Sequence, residues 1–417
     1  MSKRYWNSAG ERRLLRSLGI STYITFLLAR QAQLKDNVCY DFDIDSDEEF
    51  LLSRPNLSIP DPIPLVLTIC TLLQNAEVYK HIEDVSIEWE RRLCIVDFNE
   101  SQCIDHFRFK RVHLIKLFDA LWPILSEFLD GDRNCLRTGN RYNCPYETAM
   151  LILLYRFSRP RRIRPDMEEF FGMRKSHISD VLKMICDGVY QLSYKYLNNP
   201  VIFRNRIPLY ARKINEKCGV VEHAWGFIDG TIRKTCRPTY FQREVYSGHK
   251  RCHGIKFQSV LLPDGLVGCL WGPMNGRRHD SYMLRESNLL QQLSEFMPPN
   301  LEIVYYLYGD PAYPQSRYLI GGYRYPVPGT PQAAFNTTMS RVRESVEWGF
   351  KEISKQWSFL DFKDSMKKFK MPIGQYYQIG AFLSNLRSLF YDNQTSTYFD
   401  MDTMTLNEYL SLIDILE

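Results

Sequence analysis

The sequence lacks the features that mark several common classes of protein. Its 11 cysteines form no CxxC pair and no spacing suited to a zinc module, and their odd number excludes a complete disulfide framework. The apolar run from Ile20 to Ala29 is interrupted by polar residues and is too short to span a bilayer. We therefore expect an intracellular protein with reduced thiols and no role in a membrane.

A strong overall charge is also missing, because the net charge is only +5 over 417 residues. Affinity for a polyanion would have to come from local basic patches rather than from the field of the whole molecule. A hydrophobic content of 45% and an aromatic content of 14% are ample for packed cores. The chain is long enough for two or three globular domains.

Changes in composition and periodicity predict four segments. Residues 1–64 form a basic arm followed by an acidic, proline-rich linker, and residues 65–215 show helical spacing of apolar residues. Residues 216–394 contain strand-like runs followed by helical patterns, which indicates an α/β layer domain. Residues 395–417 form an acidic tail, whose apolar stripe either docks on its own domain or binds a partner.

Four strand-like runs organise the α/β segment. Two of them flank Pro263-Asp264-Gly265, a strong hairpin signal, and long helical patterns follow at 280–293 and 332–357. Asp229 closes one run, and Asp310 closes another that spans 303–308. Taken alone, each aspartate would more often be a turn residue.

A helical glutamate completes a carboxylate set with these two aspartates. The apolar stripe of the 332–357 helix must face the sheet, which places Glu347 on its flank and Glu344 on the opposite side. Three converging carboxylates repel one another unless divalent cations neutralise them, so Asp229, Asp310 and Glu347 predict a site for Mg²⁺ or Mn²⁺, with two ions. Such a site can hydrolyse nucleic acid or transfer a strand.

Three nearby residues are accessory candidates. Arg343 lies one turn before Glu347, where it could orient the carboxylate, meet a phosphate, or form an ordinary surface pair. Asp280 stands where a loop becomes a helix, so it caps the helix or joins the metal site. His279 suits a phosphate or a structural hydrogen bond better than zinc, since no other ligand stands at the required spacing.

Four ordered blocks of this chain resemble the PIF/Harbinger transposases and their domesticated nuclease relatives. The blocks are Phe227-Ile228-Asp229-Gly230-Thr231, Gly276 to Asp280, Tyr308 to Pro314, and Phe335-Asn336 followed by Arg343 to Phe350. The resemblance covers about residues 220–390. It implies a ribonuclease H-like fold whose DDE triad is Asp229, Asp310 and Glu347, the same glutamate that the helix geometry selects.

A helix-turn-helix-like motif is predicted at residues 163–197. Pro165 to Phe171 reads as a short helix that stops at Gly172, and Ser176 reads as the N-cap of a longer one. The resemblance supports this motif, although a plain helical hairpin with a basic loop is the alternative. The candidate DNA contacts are Arg161, Arg162, Arg164, Arg174, Lys175, Ser176 and His177.

A second basic patch follows Asp229 and is interleaved with aromatic residues. Arg243, Lys250 and Arg251 are its best candidates for phosphate contact. Some of the neighbouring aromatic rings could stack on splayed bases, while others belong to the core.

The sequence therefore predicts a DNA transposase or endonuclease that binds transposon terminal repeats, then cleaves and transfers strands. The alternatives are a domesticated, non-cleaving DNA-binding regulator and a metal-dependent phosphohydrolase of small nucleotides, which would leave the basic helical half unexplained. By resemblance, a Myb/SANT-like helper protein, a homodimer that handles two DNA ends, and a nuclear location, with cytoplasmic residence until the helper binds, are expected.

Overall fold

A computed structural model describes residues 92–140, 142–160, 166–297, 302–361, 366–368 and 370–416. The predicted N-terminal arm and linker, the first part of the predicted helical domain, and Arg161, Arg162 and Arg164 lie outside the described residues.

Helices dominate the chain before residue 219. The α-helices there are α1 Glu100–Phe107, α2 Arg111–Leu125, α3 Tyr146–Ser158, α4 Glu168–Phe171, α5 Lys175–Leu197 and α6 Ile207–Cys218. A small antiparallel sheet of β1 Gly131–Asp132, β2 Cys135–Arg137 and β3 Asn143–Cys144 lies between α2 and α3. Helix α3 is apolar on nearly every side and is almost wholly buried, whereas α5 buries one stripe and exposes the other.

The second half of the described chain contains the main sheet. Its strands are β4 Ala224–Lys234, β5 Tyr246–Ser247, β6 Cys252–Leu261, β7 Val267–Asn275, β8 Tyr306–Gly309 and β9 Leu319–Gly321. The α-helices among and after them are α7 Gln242–Val245, α8 Asp280–Glu286, α9 Leu289–Phe296, α10 Pro331–Gln356, α11 Ile373–Ser388, α12 Gln394–Phe399 and α13 Leu406–Leu410. Single 3₁₀ segments occur at Ile95–Asp97, Ser126–Phe128, Pro200–Arg206, Ser358–Asp361 and Ser411–Leu416.

The main sheet is mixed, with β4 at its centre. Strand β4 pairs antiparallel with β6, and β6 pairs antiparallel with both β7 and the short β5. On its other edge β4 pairs parallel with β8, which pairs parallel with β9. This mixed α/β architecture fits a DDE nuclease domain.

Helix α10 packs on one face of β4. Thr330 caps its first turn by accepting a hydrogen bond from the Ala333 amide, and Pro331 stands at its first position. The predicted apolar stripe is confirmed, because Val342, Val346 and Ile353 are buried. The stripe fixes which flank of the helix runs along β4.

The structure corrects three of the predicted boundaries. Asp229 does not end its strand, because β4 continues to Lys234 and pairs with β6 along that whole stretch. The strand predicted at 303–308 is shorter and begins at Tyr306. The helix predicted at 280–293 is two helices, because Asn288 adopts a left-handed conformation with φ of 52° between them.

The helices before the main sheet and the sheet itself share one continuous hydrophobic core. The C-terminal apolar stripe joins this core, since Tyr409 is fully buried and the Tyr196 hydroxyl donates to the Leu410 carbonyl oxygen at 2.8 Å. The tail therefore docks on the rest of the described chain, which is the first of its two alternatives. None of the described helices combines the length and apolar character needed to cross a membrane.

The predicted hairpin between β6 and β7 is confirmed, and its turn is anchored inside the protein. Asp264 is fully buried, where it accepts a 2.7 Å hydrogen bond from the Tyr210 hydroxyl and one of 3.2 Å from the Leu266 amide. The Arg206 guanidinium lies 3.9 Å from the same carboxylate. A residue that looks like an exposed turn aspartate thus connects the hairpin to α6.

Replacing Asp264 with alanine is expected to destabilise the fold by about 3–5 kcal/mol, because a buried hydroxyl and a guanidinium would lose their partner. Chemical denaturation of the full chain measures this loss. The matched control is Asp402→Ala, at an exposed aspartate, which should change the free energy of unfolding by less than about 0.5 kcal/mol. Equal losses in the two variants would contradict the anchoring role.

Candidate active site

Strand register brings two of the predicted acids together. In the parallel pairing of β4 with β8, Ile228 lies opposite Gly309. Asp229 and Asp310 directly follow this pair, and neighbouring strands of a sheet lie about 4.8 Å apart. The two aspartates are therefore neighbours in space although they stand 81 positions apart in the sequence.

Arg343 on α10 bridges the two aspartates. Its Nη1 lies 3.5 Å from Oδ2 of Asp229, and its Nη2 lies 3.8 Å from Oδ2 of Asp310. The side chains are partly exposed, at 24% for Arg343, 21% for Asp229 and 41% for Asp310. One guanidinium thus offsets two carboxylates at the edge of solvent.

Burial raises the pKa of Asp229 to about 6, against the attraction of Arg343 and a hydrogen bond from the Gly230 amide. The negative charges of Asp280 and Asp310 raise it further. Asp310 is held differently, because its Oδ1 accepts a 2.8 Å hydrogen bond from the Ala312 amide in the turn after β8.

Asp280 is the third acid close to this pair. It was expected to cap α8, but His279 occupies the N-cap position and the Asp280 carboxylate turns to Lys256, whose Nζ lies 3.0 Å away. The same carboxylate lies over Gly230, where an added Cβ would come within 2.6 Å of Oδ1. His279 is exposed. Asp280 therefore belongs to the acidic cluster and is paired with its own cation.

Two tyrosines of the β8 region face the cluster. Among the described residues the buried Tyr313 hydroxyl has no hydrogen-bond partner, and its pKa is raised by burial and then by Asp280, Asp229 and Asp310. Burial also raises the pKa of Tyr308 to about 12, an effect opposed by Arg343. Both hydroxyls are protonated donors at neutral pH.

Glu347 is not among the side chains that contact the two aspartates. It is exposed on α10 and makes no hydrogen bond or ion pair within the described residues. The α10 side chain that contacts both aspartates is Arg343, one turn earlier. The place of Glu347 in the carboxylate set stays a prediction.

The donor atoms around Asp229 and Asp310 can be compared with what a metal ion requires. In the part of the chain that the structure describes, no group of three or more histidine, cysteine, aspartate or glutamate side chains is placed to hold a metal ion. Asp229 and Asp310 nevertheless share one cationic partner and offer only oxygen donors, which suits a hard divalent cation. The donor chemistry fits such an ion, with two carboxylates in position.

The candidate DNA contacts of the helical region lie at the start of α5. That helix begins at Lys175 rather than after Ser176, and Arg174 is its N-cap residue. Arg174, Lys175 and Ser176 are exposed, whereas the His177 ring stacks on Tyr142 at 4.1 Å. The predicted stop of the preceding helix at Gly172 is confirmed by its φ of 57°.

The second basic patch lies in the segment between β4 and β6. Arg243, Lys250 and Arg251 are all exposed, as are the rings of Tyr240 and Phe241. Phe257, another aromatic of that patch, is fully buried in the core. The loop therefore presents both cations and aromatic faces to solvent.

Two residues near the carboxylates receive no role from the sequence. Lys256 forms an ion pair with Asp280. Tyr313 stood in the Tyr308 to Pro314 block without a function. Because a lysine on a strand beside a carboxylate loop and a tyrosine three residues after an aspartate are both common, no local pattern distinguished them.

Comparison with known proteins gives one family. The model of the DDE superfamily endonucleases matches residues 228–385, a segment that begins at the end of the Phe227-Ile228 run and includes Asp229, Asp310 and Glu347. The match supports a DDE transposase-like nuclease at the level of the superfamily, whose members generally use divalent metal ions. No curated protein and no solved structure matches the chain.

The Arg343→Met variant should have a lower thermal denaturation temperature than the wild type in EDTA at pH 7.5, because two adjacent carboxylates lose their shared cation. Millimolar Mg²⁺ or Ca²⁺ should narrow this difference. Arg341→Met, at an exposed arginine of the same helix, is the control and should melt close to the wild type. Indistinguishable melting of both variants would show that the bridge is not stabilising.

The raised pKa of Asp229 makes the stability of the metal-free protein depend on pH. The folded state keeps the proton to a pKa of about 6, against an ordinary value of 3.8. The contribution of this proton to the free energy of unfolding is complete below about pH 4. It is lost as the pH rises through 6, and the total loss is about 3 kcal/mol. Urea denaturation in EDTA at pH 4.5 and 6.5 should show the loss in the wild type and a smaller one in Asp229→Asn. An unchanged pH dependence in that variant would refute the assignment.

Proposed function

We propose that this protein is a metal-dependent DNA endonuclease of the transposase type, of the PIF/Harbinger group, that cleaves DNA at transposon terminal repeats and transfers strands. The observation that supports it most is that strand pairing places Asp229 beside Asp310 and that Arg343 contacts both carboxylates. Both aspartates lie within the segment that matches DDE superfamily endonucleases. Placing two carboxylates side by side has a cost in repulsion that an ordinary structural role does not require.

The sheet supports a ribonuclease H-like domain for residues 216–394. Three antiparallel strands, β7, β6 and β4, continue into the parallel strands β8 and β9, with helices packed against the sheet. This is the strand arrangement expected of that fold. It brings the end of β8 next to the middle of β4, where the two aspartates lie.

Asp229 and Asp310 would hold the divalent ions, Mg²⁺ or Mn²⁺, with Glu347 as the third carboxylate. Bound there, such ions would supply an activated water or DNA 3′-hydroxyl and would stabilise the leaving oxygen. Asp229 and Asp310 are positioned by the strand pairing, and the Asp310 turn fixes one of its oxygens on the Ala312 amide. The chain's own part is thus to hold carboxylate oxygens at a fixed separation.

The position of Glu347 on α10 supports its inclusion. Arg343 contacts Asp229, and Ser354 accepts a hydrogen bond from Arg233 further along the same strand. Successive residues are about 100° apart around the helix axis, so Glu347 lies about 40° and Ser354 about 20° from the direction of Arg343. All three therefore lie on one flank of α10. Glu347 therefore lies between two residues that touch β4, and its long exposed side chain has room to turn toward the strand.

Arg343 has a role that follows from its present contacts. It neutralises the aspartate pair while no other cation is there, and it must release at least part of that contact when divalent ions are held by the same oxygens. A guanidinium freed at that point lies beside the substrate and can pair with a phosphate oxygen by its two-nitrogen fork.

DNA would be held by two exposed basic surfaces. The first is the start of α5, where the helix N-terminus adds its own positive end to Arg174 and Lys175. The second is the segment between β4 and β6 with Arg243, Lys250 and Arg251. Phosphate contacts of this kind position a duplex without reading its sequence.

The helix-turn-helix role of α4 and α5 is part of the proposal. A short helix, a left-handed glycine and a longer helix with a buried stripe are the features that support it. By resemblance to PIF/Harbinger proteins, we also propose a homodimer, a Myb/SANT-like helper and a nuclear location, with cytoplasmic residence until the helper binds.

A non-cleaving DNA-binding regulator with the same fold is the second candidate. The observation that favours it is that the described residues contain no group of three or more histidine, cysteine, aspartate or glutamate side chains placed to hold a metal ion. The regulator and the enzyme differ in one measurable respect, which is whether any DNA strand is cut.

Incubation of the full chain with Mg²⁺ or Mn²⁺ and a duplex carrying the inverted repeats that flank its gene should give cleavage. Asp229→Ala, Asp310→Asn and Glu347→Gln should each reduce the rate by about 100-fold or more, because each removes a carboxylate from the ions. Glu344→Gln, at an exposed glutamate on another side of α10, is the matched control and should cut normally.

Gel-shift assays on the same duplex separate the two candidates. Binding without any nicking by the wild type would support the regulator and overturn the enzyme. Normal cleavage by Glu347→Gln would retain the enzyme but exclude this glutamate from its site.

A further inference from the structure

A cavity of about 450 Å³ opens directly beside Asp310. Its wall begins at Pro311, the residue after this aspartate, and includes Tyr313 from the same turn. Tyr323 and Arg324 contribute from the loop after β9, and Phe335 contributes from the first turns of α10. The volume lies within the range of about 300–1,000 Å³ that small-molecule sites occupy.

The walls of this cavity are fixed by side chains that bind backbone. The Gln315 amide donates to the Gly321 carbonyl oxygen and accepts from the Gly321 amide, both at 3.2 Å. Asn336 makes the same two-way contact with the backbone of Tyr323, both at 2.9 Å. Each pair of bonds holds the peptide groups on both sides of one residue, so the cavity walls are fixed by the protein's own contacts.

These contacts explain a sequence block that the carboxylate site leaves without a function. Phe335 and Asn336 stand well before the acidic residues of α10. Phe335 supplies an aromatic wall, with its ring centroid 5.5 Å from that of Tyr323 in an edge-on arrangement. Asn336 holds the loop that presents Tyr323.

The lining chemistry is that of a nucleotide site. Tyr323 is 53% exposed and Phe335 is half-buried, so an aromatic face is available to a flat ring. The exposed Arg324 donates from Nε to the Pro311 carbonyl oxygen at 3.1 Å, which holds its cationic head at the rim. A stacking surface and a cation at the rim suit a base attached to a phosphate.

We infer that this cavity receives the base of one unstacked nucleotide of the DNA, next to the phosphate that lies at Asp310. The inference rests on the proposed DNA-cutting function and adds a binding site for a nucleotide that is flipped or frayed out of the duplex. Such an extruded base fixes the register of the strand relative to the carboxylates, because its phosphate can then lie at only one distance from them.

Fluorescence anisotropy with two labelled probes tests this inference. One probe is a 20-base-pair duplex with a three-nucleotide single-stranded overhang, and the other is the same duplex with blunt ends. Tyr323→Ala in the full chain, with Ca²⁺ in place of Mg²⁺, should bind the overhang probe at least about fivefold more weakly than the wild type, because one stacking partner is lost. Binding of the blunt probe should change less than about twofold.

Tyr325→Ala is the matched control. Tyr325 stands two residues further in the same loop, is 97% exposed and does not line the cavity. It should bind both probes as the wild type does. Equal effects of the two substitutions on the overhang probe, or no effect of either, would overturn the inference.

A photochemical cross-link gives a second readout that is independent of cleavage. With 5-iodouracil in the overhang, irradiation of the wild-type complex should attach the base to Tyr323 or Phe335, as located by mass spectrometry. Adducts found only at other residues would overturn the cavity site even if the protein cuts DNA. Adducts at these rings in a protein that cuts no DNA would retain the cavity and refute the endonuclease instead.

Discussion

One guanidinium compensates the repulsion that strand pairing imposes on two carboxylates, and the rest of the site is arranged around that compensation. The parallel register of β4 and β8 brings the backbones of Asp229 and Asp310 side by side. Arg343 can reach both only because α10 packs its apolar stripe on the sheet. The core of the domain and the charge balance of the site are therefore set by the same contact between a helix and a strand.

Much of the α/β half could be predicted from the sequence because its signals are local. A turn with aspartate and glycine between two apolar runs predicted the β6–β7 hairpin, and helical periodicity predicted α10. The extent of β4 could not be predicted, since the partner strand β6 extends it past the Asp229-Gly230 turn signal. The burial of Asp264 could not be predicted either, because its hydrogen-bond partner Tyr210 lies on a helix 54 residues away in the sequence.

The residues of the candidate site divide in the same way: local patterns indicated some of them, whereas contacts between distant segments decide the others. Both aspartates could be found because each follows an apolar run, and Arg343 because it lies one helical turn from Glu347. Which of Arg343 and Glu347 faces the aspartates depends on how far α10 slides along β4, a quantity set by packing. The pairing of Asp280 with Lys256 likewise depends on β6 lying beside the start of α8.

Gly230 has a consequence for variants of this chain. Its missing side chain is the space that the Asp280 carboxylate occupies, and a Cβ there would lie 2.6 Å from an Asp280 oxygen. Any substitution at this position therefore requires the carboxylate to shift, although every acidic residue is retained. The placement of the acids is thus encoded in a glycine as well as in the acids themselves.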